Sequence, residues 1–190
     1  MIAIVIIAVV VVALVAFVWL TYNRMVAKRQ ATENSWAQID VSLRRRHDLI
    51  PVLVESVKGY AAHERNTFEA VTEARTDAIA NASDAPPQRA AAEGTLGQAT
   101  ERLLVVAEAY PQLEASDNFS KLQTDLRETE DQIAITRRVY NDTVETYNTL
   151  IQQFPAVIVA RLFGFERREF FDAPAEAEVA PQVSLSPGPA

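Results

Sequence analysis

Cysteine is absent from all 190 residues of the sequence. Disulfide bonds, thiolate metal sites and a lipid-modified cysteine are therefore excluded. Basic residues are outnumbered, with 18 Lys and Arg against 25 Asp and Glu. The resulting net charge of −7 argues against nucleic-acid binding, because phosphates would be repelled. Glycine is scarce, at five residues, which favours long helices joined by short connections.

Signatures of catalysis are missing as well. His47 and His63 are the only histidines, and His63 with Glu64 begins an H-E-x-x-H motif that has no second histidine. The chain has no Glu-x-x-His pair, no G-x-x-x-x-G-K-[ST] and no G-x-S-x-G. We therefore predict no catalytic, cofactor-binding or metal-binding residue and no cofactor. An enzyme with an all-carboxylate metal site is the alternative that these absences leave open.

A long apolar run opens the chain, IAIVIIAVVVVALVAFVWL at residues 2–20. As a helix it would span about 28 Å, which matches the roughly 30 Å hydrocarbon core of a bilayer. Trp19 and Tyr22 fall where an interfacial aromatic belt is expected. A cleaved signal peptide is disfavoured, because a basic leading region and an A-x-A site are both missing. A buried core helix would show a polar face, so we predict a membrane anchor that contacts the lipid bilayer.

Charge around this run predicts its orientation. Arg24, Lys28 and Arg29 follow the run at once, and no basic residue precedes it. By the positive-inside rule, Met1 lies outside the cell and the rest of the chain lies in the cytoplasm.

A heptad pattern of apolar residues starts near Asn34 and is typical of a helix packed against other helices. Its register runs straight through Pro51, so we predict that Pro51 lies within one long helix and does not start a new one. A break between Gly59 and Ala62 would instead give two helices, and both interpretations stay open. The two series are Trp36, Leu43, Ile50, Val57, Val71 and Ala78, and Ile39, Leu53, Tyr60 and Ala74.

Further helices follow a clear loop at residues 81–87. A second helix ends near Tyr110, and a third runs from about residue 117 to Gln153, each with its own apolar stripe. A short apolar helix after Pro155 is expected to fold back on the others. The predicted fold class is all-α, an antiparallel up-down bundle of three to four long helices on a transmembrane helix. The domains are a transmembrane anchor (1–21), a juxtamembrane stalk (22–32), the bundle (33–170) and a disordered Ala/Pro/Glu-rich tail (171–190).

Arg46 occupies a core-facing position of the first stripe. A buried arginine needs a carboxylate and further hydrogen bonds. The third helix offers Glu130 as first candidate partner and Glu128 as second, and it carries Arg137 and Arg138 itself. We interpret this set as an interhelical ion-pair layer that sets helix register. A binding site for an acidic ligand or a partner segment is the functional alternative.

Motifs spread over residues 1–170 resemble the LemA family. They comprise the anchor, NSWAQID at 34–40, RRHDLIP at 45–51, VKGY at 57–60, HE at 63–64, YP at 110–111, NF at 118–119, RRVYN at 137–141, YN at 147–148, FP at 154–155 and FGF at 163–165. The tail is not part of the resemblance. The structural or interaction candidates are Arg45, Arg46, Asp48, Pro51, Glu130, Arg137, Arg138, Tyr140, Asn141 and Asn148.

The resemblance implies a bacterial inner-membrane protein with a cytoplasmic four-helix bundle, in a family whose molecular function is not established. We therefore predict a non-catalytic, single-pass scaffold or adaptor whose partner is an unidentified membrane or envelope protein. A membrane-shaping homo-oligomer is the alternative, since a related member takes part in building magnetosome membranes, and that extension rests on analogy alone.

Overall fold

The structure is a computed structural model that describes residues 1–172 of the chain, and no β-strand occurs in this part. The predicted all-α fold is thus confirmed. Four long helices and two short ones follow one another, with a 3-10 turn at Asn81–Ser83. The helices are α1 (Ile2–Lys58), α2 (Arg65–Ala80), α3 (Pro86–Glu108), α4 (Pro111–Glu114), α5 (Asp117–Gln152) and α6 (Ala156–Leu162).

The bundle is built from two antiparallel pairs. α1 packs along α5, and α2 packs along α3. The α2–α3 pair covers the half of α1 that contains Leu53 and Val57, which forms the largest apolar cluster together with Phe119 of α5. The opposite half of the bundle consists of α1, α5 and α6, with Met25 and Tyr147 at its centre. The bundle is therefore asymmetric along its length.

Pro51 lies inside α1 without ending it, as predicted. Proline has no N–H to donate, so the helix lacks the bond that would normally reach the carbonyl of His47 four residues earlier. Arg75 of α2 supplies the missing donor, with its Nε 2.8 Å from that carbonyl oxygen. The helix therefore tolerates Pro51 because a neighbouring helix satisfies the carbonyl that proline leaves open.

The connection after α1 decides between the two interpretations of the heptad pattern. α1 ends at Lys58 and α2 begins at Arg65, so the pattern from Asn34 to Ala78 covers two helices and not one. Tyr60, predicted on the core stripe, is 47% exposed, and Ala61 is buried instead. The amides of both residues approach the carbonyl of Val57, which closes the end of α1.

The predicted juxtamembrane stalk does not form a separate element. Within residues 22–32, Met25 is completely buried and Thr32 is 3% exposed, because the end of α5 and α6 pack against this stretch of α1. Phe171, which we assigned to the tail, is also buried, next to Trp36 and Tyr140. Buried residues therefore occur on both sides of the predicted limits of 33 and 170. The predicted disorder of residues 173–190 lies outside the described residues.

The first part of α1 stands apart from the bundle. Residues 2–15 are exposed, and the most apolar 18-residue window of the helix has a mean hydropathy of 3.4 with no buried residue. This stretch is long and apolar enough to cross a membrane, which is consistent with the predicted anchor.

Candidate functional site

A buried layer of charges crosses the middle of the bundle. Arg46 of α1 is 4% exposed, and its Nη1 lies 3.2 Å from both carboxylate oxygens of Glu130 on α5. Its Nη2 donates to the carboxylate of Glu93 on α3 and, at 3.2 Å, to the carbonyl of the same residue. His47 Nε2 lies 3.0 Å from the other oxygen of Glu93. One arginine thus joins three helices, through two carboxylates.

A second buried arginine extends the layer. Arg89 of α3 is 2% exposed, and its Nη2 lies 2.7 Å from Asp40 Oδ1 on α1. Its guanidinium also sits over the ring of Trp36, with 5.2 Å between Cζ and the ring centroid, which is a cation–π distance. Asp40 additionally accepts a bond from Arg44, one turn along α1. The two arginines therefore tie α3 to α1 at neighbouring levels.

The electrostatics of the layer centre on Glu93. Burial alone would raise the pKa of its carboxyl, but the hydrogen bond with His47 and the charge of Arg46 outweigh burial, so the pKa lies below the ordinary value. Burial lowers the pKa of Arg89, and the negative charge of Glu93 opposes that shift. Glu93 is therefore held as a carboxylate among cations.

Not every polar atom of the layer is satisfied. Arg46 Nε and Arg89 Nε are buried and have no hydrogen-bond partner in the part of the chain that the structure describes. Such atoms cost free energy, so the layer contributes less to stability than its number of ion pairs implies. The arrangement of the layer fits a role in determining which helix faces pack against each other.

A cleft of about 390 Å³ between α3 and α5 opens onto this layer. Gly94 and Gly97 form part of its α3 wall, and Ala134 and Arg137 part of its α5 wall. A side chain at Gly94 would meet nothing within 4 Å, so the glycine is not required by close packing. Within residues 1–172, no group of three or more His, Asp or Glu side chains is arranged to hold a metal ion.

One contact of this layer was predicted from the sequence. The predicted contact between Arg46 and Glu130 is present, whereas Glu128 lies 4.0 Å from Arg45 instead. Asp48, Pro51, Arg137 and Arg138 are exposed, and of these four only Arg137 lines the cleft.

Glu93, the most buried carboxylate of the layer, was missed together with Arg89. A heptad signal was available, because both residues extend the buried stripe of α3 toward its start. By contrast, Ala92, Val106 and Tyr110 are only half-buried. The buried residues of α3 are Arg89, Glu93, Leu96, Ala99, Thr100, Leu103 and Ala107.

Three further candidates on α5 hold the chain that follows α6. Asn148 donates to the carbonyl of Arg168 at 2.8 Å and accepts from its amide at 2.9 Å, so one side chain satisfies both backbone groups. Asn141 accepts from the amide of Phe171 at 2.9 Å, and the Tyr140 hydroxyl donates to the carbonyl of Glu169 at 2.9 Å. We call residues 166–172 the strap. Its backbone is bound by side chains, which explains why these residue types occur there.

The Phe163-Gly164-Phe165 turn closes the end of the bundle nearest the apolar part of α1. Gly164 has a φ of +68°, a conformation that residues with a side chain rarely adopt. The Phe165 amide donates to the Ala160 carbonyl at 2.9 Å, which ends α6. Both phenylalanine rings then contact Tyr22 edge-on, with centroids 4.9 and 5.6 Å away.

Together, these features define a class of protein, a helical bundle whose first helix extends into a membrane-type apolar segment. The LemA family model matches residues 35–185. The chain belongs to the LemA family, which confirms the resemblance. The match extends into the tail as far as residue 185, beyond the motifs that carry the resemblance.

Several curated proteins are similar to this chain. Magnetosome protein MamQ 2 of Paramagnetospirillum magneticum is 29% identical over 185 residues, covering 85% of this chain and 68% of the relative. Magnetosome protein MamQ of Magnetospirillum gryphiswaldense is 27% identical over 191 residues, covering 86% and 70%. Protein LemA of Metamycoplasma hominis is 23% identical over 151 residues, covering 80% and 68%. Together with the apolar helix, these relatives are consistent with a membrane-associated protein.

Proposed function

We propose that the chain is a single-pass, non-catalytic scaffold or adaptor in the bacterial inner membrane. Residues 2–20 anchor it in the bilayer, with Met1 outside and the bundle in the cytoplasm. The bundle surface engages an unidentified membrane or envelope protein.

The observation that carries this proposal is the continuity of α1. The same 57-residue helix supplies the apolar segment and one whole side of the bundle, over about 85 Å. Met25, five residues after Leu20, is already completely buried. Because α1 runs from the apolar segment into the bundle without a break, the bundle surface is held at a fixed height along the helix. Anchoring also raises the effective concentration of that surface for other membrane proteins.

The proposed orientation is supported by the basic residues that follow the apolar segment. Arg24 and Lys28 lie four and eight residues after Leu20, and the Arg29 guanidinium lies 5.6 Å from the centroid of the Phe165 ring. Positive charges at the cytoplasmic end of a span favour this arrangement.

Topology is tested with single cysteines, because the natural chain has none. Thr95, exposed on α3, is replaced by cysteine in the full chain, and cells are treated with a membrane-impermeant maleimide. We expect labelling only after the inner membrane is permeabilised. Labelling of Thr95→Cys in cells with an intact inner membrane would place the bundle outside and contradict the proposal.

The adaptor role is tested by photo-crosslinking in living cells. A photoreactive amino acid replaces Val105 or Ile135, which are 60% and 57% exposed, or the exposed Glu145 as a polar control. We expect a discrete adduct with another protein from at least one apolar position, and its loss when residues 2–20 are deleted. Adducts that survive this deletion unchanged would contradict an anchor-dependent adaptor.

A membrane-shaping oligomer is the second candidate function. Ile135 and Val139 lie one turn apart on the outer face of α5 and are 57% and 42% exposed, which favours contact with a second copy. Adducts whose mass equals two copies of the chain would support this candidate over the adaptor.

A further inference from the structure

The short helix α6 is apolar on two faces. Ala156, Val159 and Ala160 are buried against the bundle. On the other side, Ile158 is 59% exposed and Leu162, one turn later, is 72% exposed. Phe154 and Phe163, at the two ends of the helix, are 82% and 49% exposed, so together these four side chains form the apolar patch of α6. Large apolar side chains concentrated on a surface mark a site of contact with a membrane, a ligand or another protein.

The apolar patch continues onto the membrane segment of α1. Phe163 packs against Tyr22 and shares with it an open groove of about 400 Å³. The rest of the groove is formed by Leu14, Val15, Val18 and Trp19, so its lining is almost entirely apolar. Leu14 lies about 9 Å along the helix before Leu20, so the groove reaches into the part of α1 that would lie in hydrocarbon.

Basic residues lie on α6 and follow the groove residues along α1, at the level where headgroups would lie. Arg161 is the only charged residue of α6 and is exposed, and Arg24 and Lys28 lie on α1 just beyond the groove. Long basic side chains place their charge among lipid phosphates while their stems stay in apolar surroundings. Apolar side chains toward the span and arginines at the border are typical of a segment in the interfacial plane.

We propose that α6 is a second membrane contact, lying in the interface of the bilayer that α1 crosses. Ile158, Leu162 and Phe163 then lie among acyl chains, and a lipid acyl chain fills the groove beside Phe163. The occupant is lipid because the patch is continuous with the apolar surface of the span. This inference rests on the proposed anchoring by residues 2–20. Its consequence is that the bundle is held at two points, which fixes its tilt.

The inference is tested by fluorescence quenching with the full chain in vesicles of phosphatidylcholine and phosphatidylglycerol. Single cysteines at Ile158 and Leu162 carry an environment-sensitive NBD dye. Brominated lipids, with bromine near the headgroup or near the chain end, act as quenchers. Val10, in the middle of the span, and Val105, exposed on α3 about 50 Å from the membrane end of the bundle, are the matched controls.

We expect the dyes at Ile158 and Leu162 to be quenched at least half as strongly as the dye at Val10, and most strongly by bromine near the headgroup. The dye at Val105 should stay at background. Unquenched dyes on α6 with a quenched Val10 would overturn the inference while the anchor stands. An unquenched Val10 would instead overturn the anchor itself. Blue-shifted but unquenched dyes on α6 would mean that protein covers the patch, which also overturns the inference.

Discussion

The charged layer predicts that Arg46 is coupled to Glu93 far more strongly than to Glu130. Both carboxylates contact the same guanidinium. The Arg46 and Glu93 side chains are 5% and 4% exposed, whereas the Glu130 side chain is 46% exposed. Water screens the Arg46–Glu130 pair but not the buried Arg46–Glu93 pair. The two interactions therefore differ in strength although they share one arginine.

The burial of each pair sets the expected magnitudes. Removing the Glu93 carboxylate leaves the buried guanidinium of Arg46 with only the half-exposed Glu130 as a charged partner, which costs about 3–5 kcal/mol. For a chain of this size, such a loss lowers the melting temperature by roughly 6–20 °C. Removing Glu130 from a half-exposed pair should cost about 1 kcal/mol or less. Coupling to Arg46 should therefore be about 2–3 kcal/mol for Glu93 and well under 1 kcal/mol for Glu130.

Two double-mutant cycles measure these couplings. Arg46→Met, which keeps much of the side-chain volume, is combined with Glu93→Gln and separately with Glu130→Gln. Guanidinium unfolding of the full chain in mild detergent is followed by circular dichroism, with free energies from linear extrapolation. Equal couplings in the two cycles, or a larger coupling for Glu130, would refute the reasoning from burial.

Three further predictions concern other contacts. Arg75→Met should lower the free energy of unfolding by about 1–3 kcal/mol, because it leaves the His47 carbonyl of α1 without a donor. In the Pro51→Ala background the loss should be clearly smaller, because the restored amide donates to the same carbonyl. Equal losses in the two backgrounds, measured by guanidinium unfolding, would contradict this. Asn148→Ala should release the strap and so speed tryptic cleavage after Arg168 in a timed digestion. The melting temperature of the variant controls for global unfolding. An unchanged cleavage rate would show that other contacts hold the strap. Because the native pKa of Glu93 is lowered, its stabilising contribution is present above the ordinary value of 4.5 and is lost as pH falls through the native pKa. Melting curves across this range should thus show a loss of stability that Glu93→Gln reduces, and identical pH profiles for the two proteins would refute it.

Local patterns in the sequence determined much of this protein. The apolar run, the heptad spacing and the register through Pro51 depend on side chains that lie near one another along the chain. The geometry of a helix places residues with this spacing on one face, whatever packs against it. That is why the fold class and the core position of Arg46 could be predicted.

Features that depend on which helix faces pack against each other were decided by the tertiary structure. Glu93 is the main partner of Arg46 because α3 lies beside that level of α1, and Met25 is buried because α5 and α6 reach back to it. The break after Lys58 preserves the heptad register, so spacing alone does not reveal it. The strap is held by side chains that bind backbone groups 20 to 30 residues away, and such pairing leaves no periodic signal. These features arise from contacts between segments that are distant in sequence. The free energy of such a contact depends on both segments, so the pattern of one helix does not predict it.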